Sequence, residues 1–99
     1  MTWTHLTVVA EMLAKQGKEE ELRRTLLALV EPTRKEDGCI QYDVHQSTEE
    51  PRRFFFYENW TSLGHLDRHL QSAHLTAFQK AAPELLAEPV RIVTCTRIA

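Results

Sequence analysis

Residues 54–57 read Phe-Phe-Phe-Tyr, within the run RRFFFYENW at 52–60. In an extended strand the side chains alternate between faces, so Phe54 and Phe56 point one way and Phe55 and Tyr57 the other. A sheet with one face in water carries polar residues at one parity. This strand does not, so both faces of its sheet call for cover. The chain's own helices can supply one cover. With 99 residues there is no room for a second core, so the other cover points to the sheet of a second copy. The plainer alternative is a pair of tolerated surface aromatics.

The remaining pattern supplies the helices. Thr4 to Met12 is rich in Val and Thr and reads as a first strand, punctuated by Gly17. Leu22, Leu26, Leu29 and Val30 then recur at helical spacing, behind Glu19, Glu20 and Glu21 in a first turn that favours acids. Pro32 is expected to kink or restart this helix and Gly38 to stop it. Residues 39–46 alternate as a second strand, with Ile40, Tyr42 and Val44 on one parity, and STEEP turns the chain into the aromatic strand as a hairpin. Thr61 or Ser62 can cap a helix over 63–70. A further helical piece runs over 74–82 to Pro83, and 89–98 is the last strand. The order is β-α-β-β-α-β. This is one α+β domain over residues 1–99, ferredoxin-like, with an antiparallel sheet and its helices on one face.

Composition narrows the function classes. The net charge is −2 and the basic pairs Arg23-Arg24, Arg34-Lys35 and Arg52-Arg53 lie beside acids, so no basic stripe is offered to nucleic acid. No run approaches the roughly 20 apolar residues of a membrane span, and MTWTHLTVVAEMLAK lacks the features of a signal peptide. The expected location is the cytoplasm, with Cys39 and Cys95 as buried or semi-buried thiols. Three glycines form no phosphate- or dinucleotide-binding loop, and no nucleophile motif is present.

The titratable candidates concentrate in GHLDRHLQSAH, 64–74. At about 100° per residue, Leu63, Leu66 and Leu70 define a buried stripe, with His65 roughly 130° from its centre and His69 roughly 90° from it. His65 is then expected in solvent and His69 at the boundary. That separation argues against a metal held by the i, i+4 pair, and no metal is expected. His69 and His74 are acid–base candidates, His74 at a helix start where the dipole favours the neutral ring. The plain alternatives are a backbone hydrogen bond for His69 and a turn cap for His74. Glu58 shares a parity with Phe54, Phe56 and Trp60, and a carboxyl buried there needs a partner. It either orients a histidine or reaches solvent at the strand end. Phe56 and Trp60 suit a pocket wall, with Phe54 and His45 as further lining candidates. His5 reads as half-exposed and Trp3 as a packing or dimer contact.

The stretches VVAEMLAKQGKEEEL, EPTRKEDGCIQYDVHQS and FYENWTSLGHLDRHLQSAHLTAF resemble the antibiotic biosynthesis monooxygenase family, in particular its small quinol monooxygenases. The most specific part is the Glu58-x-Trp60 strand end followed by the histidines. The resemblance implies a dimeric α+β barrel made by two facing sheets, a pocket between each sheet and its helices, and O₂ chemistry on electron-rich aromatics without metal, flavin or haem. His69 or His74 would be the base, Glu58 an orienting group, and Trp60 and Phe56 the wall. Members that oxygenate anthrones carry asparagine where this chain has Phe56 and tyrosine where it has Leu66. Haem-degrading members carry asparagine near Ala10 and a histidine near Ala77 to Gln79, and this chain has neither. A third branch isomerises a phosphorylated autoinducer sugar and would use the same histidines as a proton shuttle. A dimeric binding module without catalysis is the remaining alternative.

Overall fold

The computed structural model describes residues 5–99. Trp3, expected as a packing or dimer contact, and Thr4, the expected start of the first strand, lie outside the described residues. The elements are β1 (Leu6–Leu13), α1 (Glu19–Arg34), β2 (Cys39–Gln46), β3 (Arg53–Trp60), α2 (Leu63–Leu70), α3 (Ala73–Leu85) and β4 (Arg91–Cys95). The strands form one antiparallel sheet in the order β2-β3-β1-β4. This is the expected ferredoxin-like α+β fold.

The aromatic strand divides as its alternation requires. Phe54, Phe56 and Trp60 are buried on the helix-covered face, with Val8, Ala10 and Met12 of β1 beside them. Each large side chain taken out of water there contributes about 1.5–3 kcal/mol. On the other face Phe55 is half-buried, Tyr57 is 41% exposed and Val93 is 41% exposed. Asn59 is buried on that face because its amide is satisfied from both sides. Thr7 Oγ1 donates to Asn59 Oδ1 at 2.6 Å, and Asn59 Nδ2 donates to Gln41 Oε1 at 2.8 Å.

Several local expectations change. Ile40 does not share a face with Tyr42 and Val44. Cys39 pairs with Trp60 and Gln41 with Asn59, so Ile40 is the extra residue of a β-bulge and is 58% exposed. Pro32 and Pro83 break neither helix. Each lies two residues before the end of its helix, where the lost N–H bond and the ring clash fall on the last turn. Cys95 is exposed on β4, and only Cys39 is partly covered.

Gly38 is not the residue that ends α1, which stops at Arg34. It shapes the turn into β2 with φ +85°, and a Cβ there would fall 2.2 Å from the His65 ring. Gly17 has a similar φ of +84° with nothing within 4 Å. Gly17→Ala should therefore cost only the left-handed backbone penalty, about 1–2 kcal/mol. Gly38→Ala should cost about 2–5 kcal/mol, because overpacking adds to it. Urea unfolding of both variants checks this. Equal losses would show that His65 yields freely.

Candidate active site

Helix α2 begins at Ser62, whose hydroxyl accepts from the His65 N–H at 3.3 Å. Eight residues later it ends, and Ser72 both donates to the His69 carbonyl at 2.7 Å and caps α3 by accepting from Leu75 N–H. This single serine folds the chain back at QSA. His74, in the first turn of α3, then comes beside His69, with ring centroids 6.0 Å apart.

What binds the two rings is Glu36, in the connection between α1 and β2. His69 Nδ1 lies 2.7 Å from Glu36 Oε2, and His74 Nε2 lies 2.8 Å from the same oxygen. A carboxylate only accepts, so both ring nitrogens are N–H donors. For His69 this places the proton on Nδ1. Its Nε2 carries no hydrogen bond among the described residues. Burial pushes the His69 pKa down, against the raising effect of Glu36, so the ring is held towards neutrality.

His69 is 2% exposed, not at a boundary. Trp60 lies against it at 4.6 Å between ring centroids and Tyr42 meets it edge-on at 5.4 Å. The buried stripe of α2 is Leu66 and His69, with Leu70 half-buried, whereas Leu63 is 60% exposed. The helix is therefore rotated relative to the leucine pattern, because Glu36, half-buried, supplies a partner for the buried His69. His65 is not in open solvent. Its side chain is 19% exposed, with Nδ1 2.7 Å from Ser62 Oγ and Nε2 3.5 Å from Asp37.

Glu58 is buried but does not orient a histidine. It accepts from Trp60 Nε1 at 2.8 Å. Desolvation raises its pKa to about 7, opposed by that hydrogen bond and assisted by the negative charge of Glu36. Cys39 is raised to about 11, first by burial and then by Glu36 and Glu58, so it stays a thiol and is no nucleophile.

These groups meet at a cavity of about 140 Å³ between the sheet and the helices. Phe56, Tyr42, Glu58 and His69 form its inner wall, Phe78 and Leu75 of α3 its other side. Val90, Ile92 and Gln79 are the more exposed members of its lining. No lysine or arginine lines it. Of the residues expected from sequence, His69, Glu58 and Phe56 are brought together on this wall. Trp60 is fully buried behind His69. His74 faces a separate hollow between α1 and α3. Phe54 and His45 lie elsewhere, at a hollow beside Arg23 and Leu27, with His45 exposed and paired to Phe55. Glu36 was missed. Its only sequence signal was an acid a few residues before Gly38, indistinguishable from solvated neighbours.

Residues 5–81 match the family model of antibiotic biosynthesis monooxygenase, and the chain belongs to that family. It is 33% identical over 87 residues to the uncharacterized protein sll1783 of Synechocystis, covering 88% of this chain but 59% of that longer relative. It is 32% identical to the Escherichia coli protein named "Probable quinol monooxygenase YgiN", covering 89% of this chain and 95% of that one. The crystal structure of PA3566 from Pseudomonas aeruginosa superposes with a TM-score of 0.93 at 37% identity, covering 100% and 99% of the two chains.

The Glu58 carboxyl rises from 4.5 to about 7 on folding, so the folded chain binds its proton more tightly. The resulting stability is fully present below pH 4.5 and is lost as pH rises through about 7. From about pH 5 to about pH 8 the wild-type chain should lose about 2–3 kcal/mol through this group. Glu58→Gln keeps an acceptor for Trp60 and should remove that part of the slope. Denaturant unfolding at both pH values measures it, and identical slopes in the two proteins would contradict the assignment.

Proposed function

We propose that this chain is a cofactor-independent monooxygenase of quinol-like aromatics. The observation that carries the reading is the buried His69, which lines an apolar cavity with Nδ1–H tied to Glu36 and Nε2 without a hydrogen bond among the described residues. A neutral imidazole so placed is a general base for a phenolic proton. An apolar cavity of about 150 Å³ takes up benzene, so one aromatic ring fits inside and a second would extend past the rim.

The chemistry follows from the groups present. His69 Nε2 removes a hydroxyl proton from the quinol. The quinolate passes one electron to O₂, and the semiquinone and superoxide combine at a ring carbon. Glu58, with its pKa raised to about 7, is about half protonated at pH 7 and more so below it, and in that form donates to the peroxide oxygen. Loss of the ring hydrogen and cleavage of O–O then give hydroxyquinone and water. One oxygen atom enters the product, the other leaves as water, and all four electrons come from the substrate. Trp60 and Tyr42 hold the His69 ring in plane, and Glu36 holds its tautomer.

The isomerase reading needs a cation to hold a sugar phosphate, and the cavity lining offers none. The catalytic reading is also supported over a pure binding module by the neutral base and the protonatable acid on one wall.

Oxygen electrode traces with reduced benzoquinols and naphthoquinols test this. Wild-type protein should consume O₂ above the buffer rate, and His69→Ala should lose about 10²–10⁴-fold in kcat/KM. Glu36→Gln should lose less, because the base remains while its tautomer is freed. Uptake at the buffer rate across the panel would sink the reading.

The reading includes a homodimer through the open sheet face, supported by the apolar side chains Val9, Phe55, Tyr57 and Val93 there. Sedimentation velocity should give a dimer for wild type and a monomer for Tyr57→Glu. A wild-type monomer at micromolar concentration would contradict it.

A further inference from the structure

His69 Nδ1, His74 Nε2 and a Glu36 carboxylate oxygen all lie within 4.8 Å of one another. Two nitrogens and one oxygen from three separate elements converge on one point. This is the donor set of a borderline divalent cation, two imidazoles and a carboxylate with room for water as a fourth ligand. Tetrahedral bonds of about 2.1 Å would put the ligand atoms about 3.4 Å apart. Reaching that geometry opens the two N···O pairs from 2.7 and 2.8 Å and sets the two ring nitrogens, now within 4.8 Å, at the same spacing.

The residues free to adjust are the right ones. His69 is fixed, 2% exposed and packed between Trp60 and Tyr42. Glu36 lies in a connection and its side chain is 17% exposed, while that of His74, in the first turn of α3, is 22% exposed. Those two also give an ion a path from solvent, past the hollow between α1 and α3 that His74 lines. Both imidazoles bring neutral rings and the carboxylate one negative charge, so a divalent ion leaves a single net positive charge that water can partly screen.

We propose that Glu36, His69 and His74 form a binding site for a divalent cation of the zinc class. The ion replaces the two histidine–carboxylate hydrogen bonds. Binding takes the proton from His69 Nδ1, and a neutral imidazole ligated there carries its proton on Nε2. The same side chain is therefore either a metal ligand or a base towards the cavity, never both. The site itself stands or falls without the oxygenase reading, because its test reads the ion and not turnover.

Tag-free, chelator-treated protein should be titrated with Zn²⁺ by calorimetry near neutral pH and with Co²⁺ by visible absorption. Wild type should bind one equivalent of Zn²⁺, and Co²⁺ should develop the intense bands of a four- or five-coordinate site. His74→Ala and Glu36→Gln should each weaken Zn²⁺ binding more than tenfold, while His45→Ala, on the exposed face of β2, should bind as wild type does. Circular dichroism confirms that each variant is folded. Absence of a one-equivalent event in wild type would overturn the proposal. So would a pale six-coordinate Co²⁺ spectrum, or equal affinity in His74→Ala and Glu36→Gln.

Discussion

One carboxylate oxygen organises this molecule. Glu36 Oε2 accepts from His69 of α2 and from His74 of α3, and Glu36 itself stands where α1 gives way to β2. Three helices and the sheet are thereby referred to one point. A buried imidazole without such a partner would be costly, so the contact explains why α2 turns His69 inward and leaves Leu63 outside. Hydrogen bonds to a charged acceptor are stronger than neutral ones, about 1.5–3 kcal/mol each, and here two share the acceptor.

The same desolvation that makes Glu36 necessary sets the chemistry of the cavity. Burial disfavours charge, so it moves an acid and a base in opposite directions. Glu58 rises to about 7 and His69 falls. At neutral pH the wall thus presents a neutral base and a carboxyl able to donate, in an apolar space of one-ring size. Trp60 links them, donating to Glu58 and lying against His69. Proton transfer between uncharged partners is what these two groups can offer to a bound molecule.

Much of the fold is legible in local patterns. Alternation across Phe54 to Tyr57 places each ring on its observed face, Ser62 caps α2 as its position suggests, and the bounds of that helix are 63 and 70. What escapes is what depends on distance or on a single irregular residue. The β-bulge at Ile40 reverses one parity, and nothing in CIQYDVHQ marks it. Helical phase drawn from leucines alone puts His69 at a boundary, because the partner that draws it in is 33 residues away. Strand parity left Glu58 between a histidine and solvent, and neither takes it: its own neighbour Trp60 does. His45 shares neither face nor cavity with His69, and strand parity alone left its face open.

The state of His69 is the most direct point of attack. Nitrogen-15 imidazole spectra of the metal-free protein, collected between about pH 6 and about pH 8, report which ring nitrogen holds the proton. The structure requires a predominantly neutral ring at and above pH 7, protonated at Nδ1 and bare at Nε2. A ring that is doubly protonated at pH 7, or that carries its proton on Nε2, would contradict it.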